Sequence, residues 1–95
     1  MFYFNKYTKW YFHIIDKARS EHRIKTADNY FEAHHIIPRA CGGSNSLANI
    51  ILLTGREHFI AHLLLTKMVI RTDYKRKMLL SLQRMCHSNR FHLVS

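Results

Sequence analysis

At 95 residues the chain has the length of one small domain, and with 47% hydrophobic and 22% charged residues it has the make-up of ordinary globular material. A domain this short buries only about 60 to 65% of the surface its unfolded chain exposes, so a bound metal or a partner would add useful stability. Fifteen Lys and Arg against six Asp and Glu leave a formal charge of +9, which favours an anionic partner, nucleic acid first. The longest uncharged apolar run, near Ala61 to Thr66, falls far short of the ~20 residues that span a bilayer. The aromatic, lysine-bearing N-terminus has neither the apolar stretch nor the cleavage site of a signal peptide. Cys41 and Cys86 form no C-x-x-C pair, which argues against a disulfide scaffold or a cysteine zinc knuckle and fits a reducing cytoplasm. Eight histidines are the compositional oddity, and imidazoles bind metals and move protons near neutral pH.

In chain order, Tyr7, Trp10, Tyr11, Ile14, Ile15 and Ala18 recur at the spacing of an amphipathic helix over 5–22, with Asn5 as its N-cap. Arg23 to Asn29 loses the period and reads as a connection. Tyr30 to Ile37, rich in aromatic and β-branched residues and stopped by the single proline Pro38, predicts a short strand. The Gly42-Gly43-Ser44-Asn45-Ser46 cluster predicts a shaped loop, and Asn49 to Leu53 a second strand that closes a hairpin. Thr54 and Glu57 form a capping box that opens a helix running to about Arg71. That helix is apolar nearly all round, so the first and last helices must cover it. Asp73 to Cys86 predicts the last helix, with Met68, Met78 and Met85 as core filling and Ser88 to Ser95 as a tail.

His58 and His62, four apart, project from one helix face and can share one metal ion. His34 and His35 sit on the preceding strand, where neighbouring side chains point to opposite faces unless the backbone bulges. A hairpin packed on the helix could set His34 beside His58 and His62, a three-imidazole set that leaves positions open for water and phosphate. Taken without context, histidines on an amphipathic helix are more often structural than ligands.

The run Glu32-Ala33-His34-His35-Ile36-Ile37-Pro38, then Gly42-Gly43-Ser44-Asn45, Asn49, Glu57-His58 and His62-Leu63-Leu64 resembles the HNH endonucleases in their phage-encoded, homing-type form. The spacings, 14 residues from His35 to Asn49 and 9 from Asn49 to His58, fit that family's motif. The resemblance covers about Tyr30 to Met68. It implies an α+β fold, a ββα-metal core over 30–71 between an N-terminal helix and a C-terminal helix and tail (73–95), forming a single domain. It implies that His34, His58 and His62 ligate one divalent ion, whether Mg²⁺, Mn²⁺, Ni²⁺ or Zn²⁺. His35 would be the general base that deprotonates the attacking water, and Asn49 would tie the loop and hold His35 in orientation. Glu32 matches an acidic position that supports the site in some nuclease-toxin members and joins His35 and Asn49 as a candidate catalytic residue. The products implied are a 5′-phosphate and a 3′-hydroxyl.

Arg39, Arg56, Lys67, Arg71, Lys75, Arg76 and Lys77 are candidates for phosphate contacts with duplex DNA, contacts that position the duplex without reading its sequence. The resemblance implies that hairpin and helix engage the minor groove near the scissile phosphate, with sequence preference coming from appended segments. The chain stops at Ser95 without a helix-turn-helix or zinc knuckle, which leaves weak specificity, a partner that supplies it, or a shortened gene. A homodimer or a phage protein is the protein partner to look for, in the host cytoplasm and away from membranes. Two alternatives stay open beside the nuclease: a non-catalytic, metal-stabilised DNA-binding module, and a partner-gated accessory of phage packaging or recombination.

Overall fold

The computed structural model describes residues 2–86; the predicted tail and His87 and His92 lie outside them. Asn5 caps the first helix, α1 (Lys6–Ser20), its side chain accepting from the amides of Tyr7 and Thr8 at 3.0 and 3.1 Å. A long connection leads to β1 (Glu32–His35), which pairs antiparallel with β2 (Ile50–Leu53), His34 opposite Ile51 and His35 opposite Ile50. Between the strands, single 3-10 turns at Arg39–Cys41 and Leu47–Asn49 give the predicted loop its shape. The metal-candidate helix, α2 (Gly55–Met68), follows β2 directly, and α3 (Thr72–Cys86) is the last element among the described residues. This is the α+β architecture expected, a two-stranded hairpin and three helices.

The helix α2 stops at Met68, three residues before the end predicted from its apolar pattern. Val69 is extended and bridges to Phe2, while the Tyr3 amide donates to the Met68 carbonyl at 2.7 Å. The β-branched pair Val69-Ile70 thus trades another helical turn for pairing with the N-terminal arm, which also satisfies a carbonyl at the helix end.

Because α2 is apolar round most of its circumference, it sits between α1 and α3 with the hairpin across one end. Ala61, Leu65 and Met68 are fully buried against Tyr11 and Ile15 of α1 and Leu53 of β2, and Met78 of α3 closes the other side. Each large aliphatic side chain removed from water in this way contributes roughly 1.5 to 3 kcal/mol. Met85 and Cys41 are buried as well. Among the described residues no helix is long and apolar enough to cross a membrane.

Candidate active site

The site is built on the start of α2. Thr54 Oγ1 accepts from the Glu57 amide at 3.1 Å, and Glu57 Oε1 accepts from the Thr54 amide at 2.9 Å, completing the predicted capping box. Glu57 is also gripped by both terminal guanidinium nitrogens of Arg23, at 2.5 and 3.0 Å, and Arg23 Nη1 donates to the Leu52 carbonyl at 3.1 Å. Arg23 holds the Glu57 carboxyl below the usual carboxylate range, and Glu57 in turn raises the already high pKa of Arg23. One partly buried fork therefore ties the connection after α1, the end of β2 and the first turn of α2 together.

One turn further along, His58 and His62 face His34. Strand alternation turns Glu32 and His34 inward and His35 outward, with no bulge needed. The three rings stand with centroids 4.8 to 5.3 Å apart, and one nitrogen from each can be chosen so that all lie within 4.8 Å of one another. His34 is 2% exposed. Burial first, and then the neighbouring His62, His58 and His35, push its pKa far below that of an ordinary histidine, so it is neutral at pH 7 as a metal ligand must be.

Two partners reach the cluster from outside it. Glu32, itself buried, accepts from His58 Nδ1 at 2.7 Å with one oxygen, and takes the Tyr30 hydroxyl on the other. Tyr11, from α1, sets its hydroxyl 2.7 Å from His34 Nε2 and donates to the Ile36 carbonyl at 2.6 Å. Burial holds the Tyr11 phenol far above its ordinary pKa.

On the outer face, His35 Nε2 lies 2.9 Å from Asn45 Oδ1. An amide oxygen only accepts, so Nε2 donates and Nδ1 is left as the basic nitrogen. Asn49 spans the neck of the loop: its Oδ1 accepts from the Ile37 amide at 2.8 Å, and its Nδ2 donates to the carbonyls of Ile37 and Ser44 at 3.0 and 2.8 Å. The side chain of Asn49 takes over strand pairing where the ladder ends and Pro38 begins. Gly43 makes this possible, since a Cβ there would lie 1.7 Å from the Ile37 carbonyl oxygen and 2.9 Å from Asn49 Nδ2. Gly42, at φ +96°, supplies the left-handed residue that ends the first 3-10 turn.

The inner and outer faces meet in a cleft of about 320 Å³ lined by His34, His35, His58, His62 and Arg39, with Ser81 and Met78 of α3 on the far wall. Of the basic residues predicted to meet phosphate, Arg39 is in this cleft and Arg56 is exposed in the first turn of α2. Lys67 stands nine residues beyond His58, about 14 Å along the helix axis, near the Tyr7 ring. Arg71 stacks on Tyr74 at 4.7 Å, with Lys75 and the exposed Arg76 following on α3.

Sequence reasoning assigned no role to Tyr11, Arg23 or Asn45. Tyr11 carries the weak signal that a buried tyrosine needs a partner for its hydroxyl, though nothing in sequence names that partner. The others are legible only in three dimensions.

Hairpin, loop and helix form a small ββα core that carries this histidine arrangement. Residues 12–56 match the family model for HNH endonuclease, a span that includes His34, His35 and Asn49 and stops just short of His58 and His62. This match and the relatives below support an HNH-family protein. It is 48% identical over 62 residues, 64% of its length, to "Probable mobile endonuclease D" of Enterobacteria phage T4. It is 46% identical over 61 residues to "Probable mobile endonuclease E" and 42% identical over 77 residues to "Probable mobile endonuclease B" of the same phage. The chain spans 24%, 41% and 28% of the length of these three relatives. No solved structure matches it.

Proposed function

We propose that the chain is the nuclease module of a metal-dependent endonuclease that hydrolyses phosphodiester bonds in duplex DNA, of the phage homing type. The observation that carries this reading is the arrangement about β1: three imidazoles, from β1 and α2, converge on the inner side within 4.8 Å, while His35 lines the same cleft from the outer side. Neutral imidazoles fit a divalent transition ion, and zinc or nickel suits them best by donor type. Held by His34, His58 and His62, such an ion would stabilise the charge of the scissile phosphate and of the departing 3′ oxygen.

The remaining steps belong to the chain's own residues. His35 accepts a proton from the attacking water at Nδ1, with Asn45 holding the ring through Nε2. Asn49 fixes the loop that carries Asn45, so it orients His35 at one remove. Glu32 acts through His58, keeping its Nδ1 protonated and its ring aligned. Arg39 is placed to meet a phosphate entering the cleft, and the net charge of +9 draws the duplex in, an attraction that falls with salt.

The test is conversion of supercoiled plasmid by purified protein with Mg²⁺, Mn²⁺, Ni²⁺ or Zn²⁺, against EDTA and against His35→Ala. Open circles that require both metal and His35 support the proposal. Salt-sensitive DNA binding without cleavage under any metal would instead favour a non-catalytic binding module.

A further inference from the structure

Tyr11 lies on a different element from the His-Asn-His constellation, yet its hydroxyl reaches His34. Its ring is fully buried, edge-on to Phe12 and His34. The hydroxyl sits between two groups, the Ile36 carbonyl oxygen at 2.6 Å and His34 Nε2 at 2.7 Å. A carbonyl oxygen can only accept, and a phenol has a single proton to give. That proton goes to Ile36, so the phenol oxygen meets Nε2 as an acceptor. Nε2 must then carry hydrogen, and the lone pair of neutral His34 falls on Nδ1. His58 has the opposite arrangement, since the Glu32 carboxylate takes its Nδ1 hydrogen at 2.7 Å and leaves the lone pair on Nε2.

We propose that Tyr11 is a positioning residue of the metal centre, fixing His34 as the Nε2–H tautomer so that it binds a divalent ion through Nδ1 while His58 binds through Nε2. The inference rests on reading the three histidines as a metal site and adds the donor atom that each of the two presents. Uptake through Nε2 of His34 would require the ring to abandon the Tyr11 oxygen, and the Tyr11 hydroxyl is in turn anchored to the Ile36 carbonyl, just beyond the end of β1. The pairing also gives α1 a share in the site: the helix packs on α2 through Ile15 and Ala18 and reaches the metal cluster through Tyr11.

Long-range ¹H–¹⁵N correlation spectra of the ¹⁵N-labelled full chain, without metal and with one equivalent of Zn²⁺, read the tautomer and the bound nitrogen directly. In the metal-free wild type His34 should show a protonated Nε2 and a bare Nδ1, and Zn²⁺ should shift Nδ1. Tyr11→Phe, which keeps the ring, should give His34 as a mixture of tautomers and weaken Zn²⁺ binding about ten- to a hundred-fold by calorimetry. If that variant does not fold, the wild-type spectra decide alone. A metal-free His34 with hydrogen on Nδ1, Zn²⁺ bound through Nε2, or a folded Tyr11→Phe with unchanged tautomer and affinity overturns this inference while leaving the metal centre standing. A wild-type chain that takes up no Zn²⁺ at the three histidines overturns both this inference and the function proposed above.

Discussion

His34 and His35 are consecutive residues on one strand, and the pleat sends them into opposite surroundings. His34 is buried among aromatic rings and two further histidines, held neutral, and fixed by a tyrosine. His35 is half-exposed at the edge of a polar loop and fixed by an asparagine. The same side chain is thus suited to two jobs by its environment: the dry face favours a lone pair aimed at a metal, and the wet face favours proton exchange with water. The supports differ in kind as well. The inner face rests on partly buried, charge-assisted contacts through Glu32, Glu57 and Arg23, while the outer face rests on a glycine-dependent loop and neutral amides.

The sharpest way to break the comparison is to remove the outer histidine. His35→Ala should lower the plasmid cleavage rate about 10²- to 10⁴-fold, the usual contribution of a general base, measured by gel at saturating metal. Next, Glu32→Ala should weaken Zn²⁺ binding about ten- to a hundred-fold by calorimetry, because His58 loses the carboxylate that aligns it. Gly43→Ala drives a methyl group into the Ile37 carbonyl and should cost about 2 kcal/mol in urea unfolding. The loss of cleavage in that variant should exceed its loss of metal affinity, since the loop serves His35 and not the ligand cluster.

The smallest effect concerns pH. The Glu57 carboxyl is depressed in the folded chain, chiefly by the Arg23 hydrogen bonds, so the unfolded chain binds its proton more readily. The stability this pair contributes is present above the ordinary carboxylate range and is lost as pH falls through that range toward the lower folded value. Arg23→Ala should cost about 1 to 2 kcal/mol at pH 7, less than breaking a fully dry pair, because Glu57 keeps some solvent contact. Its deficit relative to wild type should shrink on acidification, as read from urea midpoints at pH 7 and pH 3.

Much of this was legible in the sequence because it depends on local patterns. The Asn5 cap, the Thr54/Glu57 box, the His58/His62 spacing and the glycine loop each follow from neighbouring residues and helix or turn geometry. Strand alternation likewise foretold the opposite faces of His34 and His35. What remained hidden depends on contacts far apart in the chain. Tyr11 reads as one more apolar helix position until α1 is docked 23 residues from its partner His34. Arg23 reads as part of a loose connection until its guanidinium meets Glu57, 34 residues on. The end of α2 falls short of its apolar pattern for the same reason, since the bridge between Val69 and Phe2 joins residues far apart in the chain.

The central claim is that the inner histidines hold the metal and the outer one does not. Calorimetric titration of Zn²⁺ into the wild type, His62→Ala and His35→Ala tests it most directly. The account predicts one ion per chain for wild type, unchanged affinity and stoichiometry for His35→Ala, and loss of the site in His62→Ala. Metal binding that survives in His62→Ala, or disappears in His35→Ala, would contradict it.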